Sequence, residues 1–262
     1  MEKKILYLLT CVGLCWSSCT NEVDEFIGNV EPSTRSVSTA LNANLASLFT
    51  GGAPTLTSAE IKEVNDAYAK MTSINCYRNI DEAVRNKTSY AGTIFLDDTY
   101  ASAYFRKGSL AFPPYGILAS SMEHEFIHMY QRDVQGKKVD TDKEKRDTGM
   151  MEFELAFYQG IIRYIHAGYS WTFKGEDGDP SYQSLWTSGL TDPSLIPQYE
   201  REFQTYVASI CANGKPTSID INEFVKWSNI FGEYSRGYSR KGYKFGNYDY
   251  GTSCINSLLK LY

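Results

Sequence analysis

Two histidines four residues apart, with a glutamate beside the first, are the side chains of this sequence best suited to chemistry. They are His124, Glu125 and His128, in the run His-Glu-Phe-Ile-His. Residues four apart share one face of an α-helix, so both imidazoles could bind one metal ion. Glu125 lies about 100° around the helix axis, where it could accept a proton from a metal-bound water. The spacing therefore predicts a Zn²⁺ site with Glu125 as general base.

A catalytic zinc with two histidine ligands needs a third protein ligand, which we expect downstream. His166 lies far beyond the motif, so a carboxylate is the better candidate, and an apolar helical run carries Glu152 and Glu154. Ala156 shares a helix side with Glu152 and would let that side approach the motif helix closely. Glu154 lies on an apolar stripe, where a carboxylate needs a partner such as a metal. The helical pattern leaves both glutamates open.

The elements that must position these residues follow from the hydrophobic pattern. Thr57 and Glu60 are spaced as a capping box at the start of a helix. Short β-prone runs predict a small mixed sheet, and Pro113 and Pro114 after the last run favour an edge strand at 109–112. The apolar spacing predicts helices over 81–86, 116–134, 148–167, 198–210 and 222–231. The predicted fold class is α+β, with a mainly helical C-terminal subdomain.

Composition excludes several classes of protein. The chain has 262 residues, of which 42% are hydrophobic and 22% charged, so it is neither disordered nor a multi-spanning membrane protein. Lys and Arg total 26 against 31 Asp and Glu, a net charge of −5, so we expect no nucleic-acid partner. We expect a monomer. The spacings of Cys76, Cys211 and Cys254 match no metal site, which leaves buried thiols or a single disulfide.

Residues 109–167, with an edge strand, motif helix, loop and glutamate helix, resemble the core of the zincin metallopeptidases, and more narrowly the gluzincins. The chain is also similar to the zinc-metallopeptidase lipoproteins of gut Gram-negative anaerobes, in which a glutamine follows the motif, as Gln131 does here. The resemblance implies a zincin-like core with Zn²⁺ held by His124, His128 and Glu152, because the related pattern Glu-Phe-Gln-Ala-Asp places the ligand at position 152. Ala156 replaces the orienting Asp of that pattern.

The activity implied by the resemblance is hydrolysis of peptide bonds in extracellular proteins or peptides, with Glu125 activating the zinc-bound water. The edge strand would hold an extended polypeptide substrate by strand pairing. Such enzymes commonly stabilise the oxyanion with a further Tyr or His, and the sequence does not choose among His166, Tyr234, Tyr238, Tyr243 and Tyr248. The alternative is a non-catalytic lipoprotein of zincin fold that binds glycan or peptide at the cell surface.

The N-terminal residues are typical of a targeting signal. Lys3 and Lys4 precede an apolar run too short to span a bilayer, and Ser17-Ser18-Cys19 follows. This pattern resembles a bacterial lipoprotein signal, in which Cys19 becomes the lipidated first residue. The acidic segment after Cys19 also resembles the signals that send some Gram-negative lipoproteins to the outer face of the outer membrane, so we expect a protein anchored there and exposed at the cell surface. The predicted organisation is a signal peptide (1–18), a tether (19–36), a catalytic core (37–170) and a C-terminal subdomain completing the cleft (171–262).

Overall fold

The structure is a computed structural model that describes residues 40–100, 102–137, 145–166, 196–234, 245–246 and 253–262. The predicted signal peptide and tether, including Cys19, lie outside the described residues. So do Tyr238, Tyr243 and Tyr248 among the candidates for oxyanion stabilisation. None of the described helices is long and apolar enough to cross a membrane.

The described chain is mostly helical, with a small three-stranded sheet, which agrees with a mixed class of fold. The helices are α1 (Ala43–Leu48), α2 (Ser58–Ser73), α3 (Asn75–Lys87), α4 (Ala119–Met129), α5 (Lys145–His166), α6 (Ile196–Ile210), α7 (Ile221–Tyr234) and α8 (Ser253–Lys260). The strands are β1 (Ile94–Leu96), β2 (Tyr104–Arg106) and β3 (Ser109–Phe112). A single turn of π-helix, Tyr130–Val134, continues α4 and is called the π-turn below.

The sheet has the order β1-β3-β2, so the expectation that 109–112 forms an edge strand is wrong. The central strand, β3, pairs in parallel with β1 and antiparallel with β2. Pro113 and Pro114 follow the last paired residue, Phe112, so they end the strand without removing a donor from its ladder. Lys107 and Gly108 join β2 to β3 with positive φ angles of 49° and 78°, the conformation that a tight hairpin turn requires.

Helices α2 and α3 pack against the motif helix α4. The capping box predicted at the start of α2 is present: the Thr57 N–H donates to the Glu60 carboxylate over 2.6 Å, and the Glu60 N–H donates to the Thr57 hydroxyl over 3.3 Å. Further along α2, the Tyr68 hydroxyl donates to the buried Asp81 carboxylate of α3 over 2.8 Å. The Tyr68 ring also lies 6.1 Å from the ring of Phe126 in α4. Tyr68 therefore contacts both neighbouring helices.

Helix α5 runs through the centre of the described core. Nearly all of its described side chains from 149 to 164 are buried, which is typical of a helix surrounded by protein. Phe153 and Phe157 pack against an aromatic cluster on α6 and α7, formed by Phe203, Phe224 and Phe231. This cluster holds α5 from the side that faces the C-terminal helices.

Two cysteines have described side chains, and both are buried free thiols. Cys76 lies in α3, and Cys211 follows the last residue of α6. Burial raises the pKa of the Cys76 thiol to about 12 and that of Cys211 to about 11. Both thiols therefore stay protonated at neutral pH and pack as small apolar groups. Cys254 lies in the first turn of α8.

We predict that Asp81→Ala lowers the free energy of unfolding by roughly 1.5–3 kcal/mol, the usual worth of hydrogen bonds to a charged group. The substitution removes the acceptor of both Tyr68 and Arg85, whose Nε donates to Asp81 over 2.9 Å. Urea unfolding followed by circular dichroism would measure the change. The control is Asp66→Ala, which breaks an exposed pair with Lys62 and should cost less than about 1 kcal/mol. Equal losses in the two variants would contradict the role given to Asp81.

Candidate metal centre

The structure brings His124 and His128 of α4 together with Glu152 of α5. The two Nε2 atoms lie 3.0 Å apart. A Glu152 carboxylate oxygen lies 3.8 Å from His124 Nε2, and the other lies 3.4 Å from His128 Nε2. One ligand atom from each residue lies within 4.8 Å of the others. The two histidines therefore meet a downstream glutamate, as predicted, and the three side chains form a group that could hold a metal ion.

The donor atoms of this group suit zinc in type and in spacing. Two imidazole nitrogens and one carboxylate form a common zinc ligand set, and tetrahedral bonds of about 2.0–2.1 Å place ligand atoms roughly 3.4 Å apart. The three closest donor separations, 3.0, 3.4 and 3.8 Å, lie on both sides of that value. The side chains of His124, His128 and Glu152 keep 12%, 18% and 18% of their surface exposed. The three side chains therefore keep partial contact with solvent.

The charges at the centre differ between the two histidines. Burial, together with the neighbouring His128, lowers the pKa of His124 to about 4, so this imidazole is neutral at pH 7. Burial is the largest single effect and acts to lower the pKa of His128, but the Glu152 and Glu125 carboxylates and the hydrogen bond to Gln131 together raise it to about 9. At pH 7 the His128 imidazole therefore carries a positive charge, which faces the Glu152 carboxylate. A divalent cation would supply that charge at the same place.

Glu125 lies beside this group but turns toward the sheet. Its Oε1 is 4.0 Å from His124 Nε2, and the residue is 4% exposed. Burial raises its pKa to about 7, while a hydrogen bond from the backbone of Phe105 in β2 acts in the opposite direction. The carboxylate is thus held between β2, which forms one edge of the sheet, and the histidines. A base with a pKa near neutrality suits proton transfer at that pH.

Glu154, the other candidate for third ligand, is not part of this group. It is fully buried, and one of its carboxylate oxygens accepts a hydrogen bond from Gln131 Nε2 over 2.7 Å. Gln131 also contacts His128, with 2.8 Å between Oε1 and Nδ1. Glu152 and Glu154 therefore meet the motif differently. Glu152 faces the imidazole Nε2 atoms, and Gln131 links Glu154 to His128.

The π-turn positions the residues that follow His128. Its wider backbone ring is closed by the Gln135 N–H, which donates to the Tyr130 carbonyl over 3.0 Å. Arg132 in this turn lies over the Phe105 ring of β2 at 4.2 Å and forms an ion pair with Asp133, which also accepts a hydrogen bond from Tyr90. These contacts attach the end of α4 to β2. Single π-turns are frequent at functional sites.

Two other candidates from the sequence, His166 and Tyr234, are the last residues of described helices. His166 is the last residue of α5, and at ~1.5 Å per residue it lies roughly 21 Å along the helix from Glu152, too far to contact the same substrate atom. Its ring lies near that of Tyr262, 6.0 Å between centroids. Tyr234 is the last residue of α7. The structure thus removes His166 from the candidates for oxyanion stabilisation.

The sequence reasoning missed two parts of the site. The first is the contact of Gln131 with His128, although residues three apart share a helix face, and this spacing could have indicated it. The second is the hydrogen bond from Phe105 to Glu125. A backbone donor carries no signature in residue type, so only the fold reveals it.

Comparison of this chain with known protein families, curated proteins and solved structures gives no match.

We predict that the protein binds one Zn²⁺ per chain and that Glu152→Gln weakens binding far more than Glu154→Gln. An amide at position 152 loses the negative charge that faces both Nε2 atoms. At position 154 an amide oxygen can still accept from Gln131 Nε2. Competition with a chromogenic chelator would give both affinities. We expect the Glu152 variant to lose more than the roughly 10–100-fold that removal of an outer-shell partner costs.

The same titration includes His128→Ala, which removes one of the imidazole donors. Full zinc content in that variant would contradict the site. A larger loss in Glu154→Gln than in Glu152→Gln would transfer the ligand role to Glu154.

Proposed function

We propose that this protein is a zinc-dependent metallopeptidase that hydrolyses peptide bonds of extracellular proteins or peptides. The observation that supports this most is the convergence of His124, His128 and Glu152 beside the buried carboxylate of Glu125. Three protein ligands leave one zinc position for water or substrate, as in catalytic rather than structural sites. In this proposal α4 is the motif helix and α5 the glutamate helix of a zincin-like core.

Each side chain has a defined part in the proposed reaction. His124, His128 and Glu152 would hold the zinc, which when bound acts as a Lewis acid toward water and the scissile carbonyl. Glu125 takes a proton from the attacking water as its oxygen bonds to the carbonyl carbon. It then passes that proton to the amine nitrogen as the C–N bond breaks. The position of Glu125, 4.0 Å from a ligand nitrogen, supports this role.

The edge strand β2 is the element best placed to hold a polypeptide substrate. It pairs with β3 on one side, and its Phe105 backbone hydrogen-bonds to Glu125. An extended peptide that adds to this edge would therefore pass the proposed base. A peptide carries repeated N–H and C=O groups that can pair with a strand, whereas a glycan does not. This contrast favours peptide over glycan as the substrate.

We predict that Glu125→Gln abolishes detectable peptide hydrolysis while zinc content and fold are retained. The substitution keeps the size of the side chain and all three donors but removes the proton acceptor, which typically contributes 10²–10⁴-fold to the rate. Cleavage of a quenched fluorescent peptide library and of an unfolded protein would be measured at equal zinc content. Glu123→Gln, on the same helix, is the matched control and should keep its activity.

Wild-type protein with confirmed zinc that cleaves nothing would contradict the peptidase proposal. If such protein nevertheless bound peptide or glycan, the non-catalytic surface lipoprotein would replace it. The two functions thus give opposite results in one set of measurements.

We also propose that the mature protein is anchored to the outer membrane by lipid on Cys19, on the basis of the N-terminal pattern. Expression of Cys19→Ala in a Gram-negative host should move the protein from the detergent phase to the aqueous phase in a phase-partition assay, because the acyl acceptor is lost. Cys15→Ala is the control and should stay in the detergent phase. Unchanged partitioning of Cys19→Ala would exclude lipidation at that position.

A further inference from the structure

Gln131 is a fully buried amide that joins the motif helix to the glutamate helix. Its Oε1 lies 2.8 Å from His128 Nδ1. Its Nε2 donates to the Met151 carbonyl over 2.9 Å and to the Glu154 carboxylate over 2.7 Å. The single side chain of Gln131 thus contacts one candidate ligand of α4 and two groups of α5 that flank the other candidate ligand, Glu152.

The orientation of this amide follows from its partners on α5. The Met151 carbonyl can only accept a hydrogen bond, so the NH₂ end of Gln131 must face α5. The oxygen end therefore faces His128, and an oxygen can only accept. Hence Nδ1 of His128 must carry the hydrogen. The hydrogen bond that one ring nitrogen donates decides which tautomer is present when the imidazole is a metal ligand.

We infer that Gln131 is a positioning residue that presents the lone pair of His128 Nε2 to the metal, and that Glu154 acts through it by holding the amide in this orientation. The inference rests on the proposed zinc site. In this role the buried Glu154 carboxylate is not a metal ligand. Neither Gln131 nor Glu154 acts on the substrate or the reacting atoms directly.

The side chain that links α4 to α5 beside Glu152 does not come from position 156, one helical turn further along α5. Ala156 occupies that position and offers no hydrogen bond. The Gln131 side chain instead comes from the π-turn of the motif helix and contacts α5 at residues 151 and 154, on both sides of Glu152. The same amide therefore bonds to His128 and to α5 on either side of Glu152.

The test is Gln131→Met, which keeps the volume and burial of the side chain and removes its hydrogen bonds. We expect the zinc affinity, measured by chelator competition, to fall by roughly 10–100-fold, the usual cost of losing an outer-shell partner. In the ¹⁵N–¹H imidazole spectrum of the zinc-loaded protein, the Nδ1–H signal of His128 should be protected from exchange in wild type and exchange rapidly in the variant.

The matched control is Gln159→Met, which alters another buried glutamine, on α5 beyond the contacts made by Gln131. It should leave zinc affinity and the His128 signal unchanged, whatever its effect on the melting temperature. Equal affinity losses in Gln131→Met and Gln159→Met would show a general effect of core disruption and overturn the inference.

A second variant covers the case in which Gln131→Met fails to fold. The double substitution Gln131→Glu with Glu154→Gln exchanges the amide and the carboxylate, so that a carboxylate at 131 accepts from His128 and an amide at 154 donates to it. Its zinc affinity should exceed that of Gln131→Glu alone, and no such rescue would overturn the inference. If the wild-type protein binds no zinc, both the proposed function and this inference are wrong. If the wild type binds zinc and the Gln131 variants bind it with equal affinity, this inference alone is wrong.

Discussion

Polar side chains between two apolar helices are stable only where each finds a partner, and this constraint organises the contact of α4 with α5. His124, His128 and Glu152 meet across the contact, and their donor atoms face one another. Gln131 fills the adjoining space and bonds to both helices. The approach of α5 to α4 and the cluster of donors therefore depend on each other.

Three glutamates near this contact differ because their surroundings differ. Glu152 keeps part of its surface in solvent and faces the histidines. Glu154 is fully buried and bonds to an amide. Glu125 is buried beside a strand, which raises its pKa. In the proposed enzyme these surroundings correspond to ligand, anchor and base. Residue type alone cannot separate the three, since a carboxylate takes its chemical character from its neighbours.

The sequence predicted the elements that carry strong periodicity or explicit end signals. The capping box of Thr57 and Glu60, the motif helix and the long apolar helix through Glu152 all have such signals, and all are present. The short helices α1 and α8 were missed, because six or eight residues carry too little periodicity to stand out.

The expectation that 109–112 forms an edge strand was wrong for a different reason. Proline after a strand indicates where the strand ends but contains no information about how many neighbours it pairs with. For the site, the spacing of the two histidines predicted which helix face they share. It could not choose between Glu152 and Glu154, because that choice depends on how α5 is rotated about its axis. The rotation is set by packing against the aromatic cluster of α6 and α7. The backbone contact of Phe105 with Glu125 likewise depends on tertiary structure.

The π-turn has a consequence for how the length of this segment can vary in evolution. A bond from residue 135 to residue 130 spans one residue more than an α-helical bond does. Deleting any one residue of the turn would restore ordinary helical bonding at little local cost. Deletion of Tyr130 or Gln131 would also rotate the side chains that follow by about 100°, and would so separate Arg132 and Asp133 from β2 and Tyr90. Selection on this segment should therefore tolerate substitutions at several positions but not insertions or deletions.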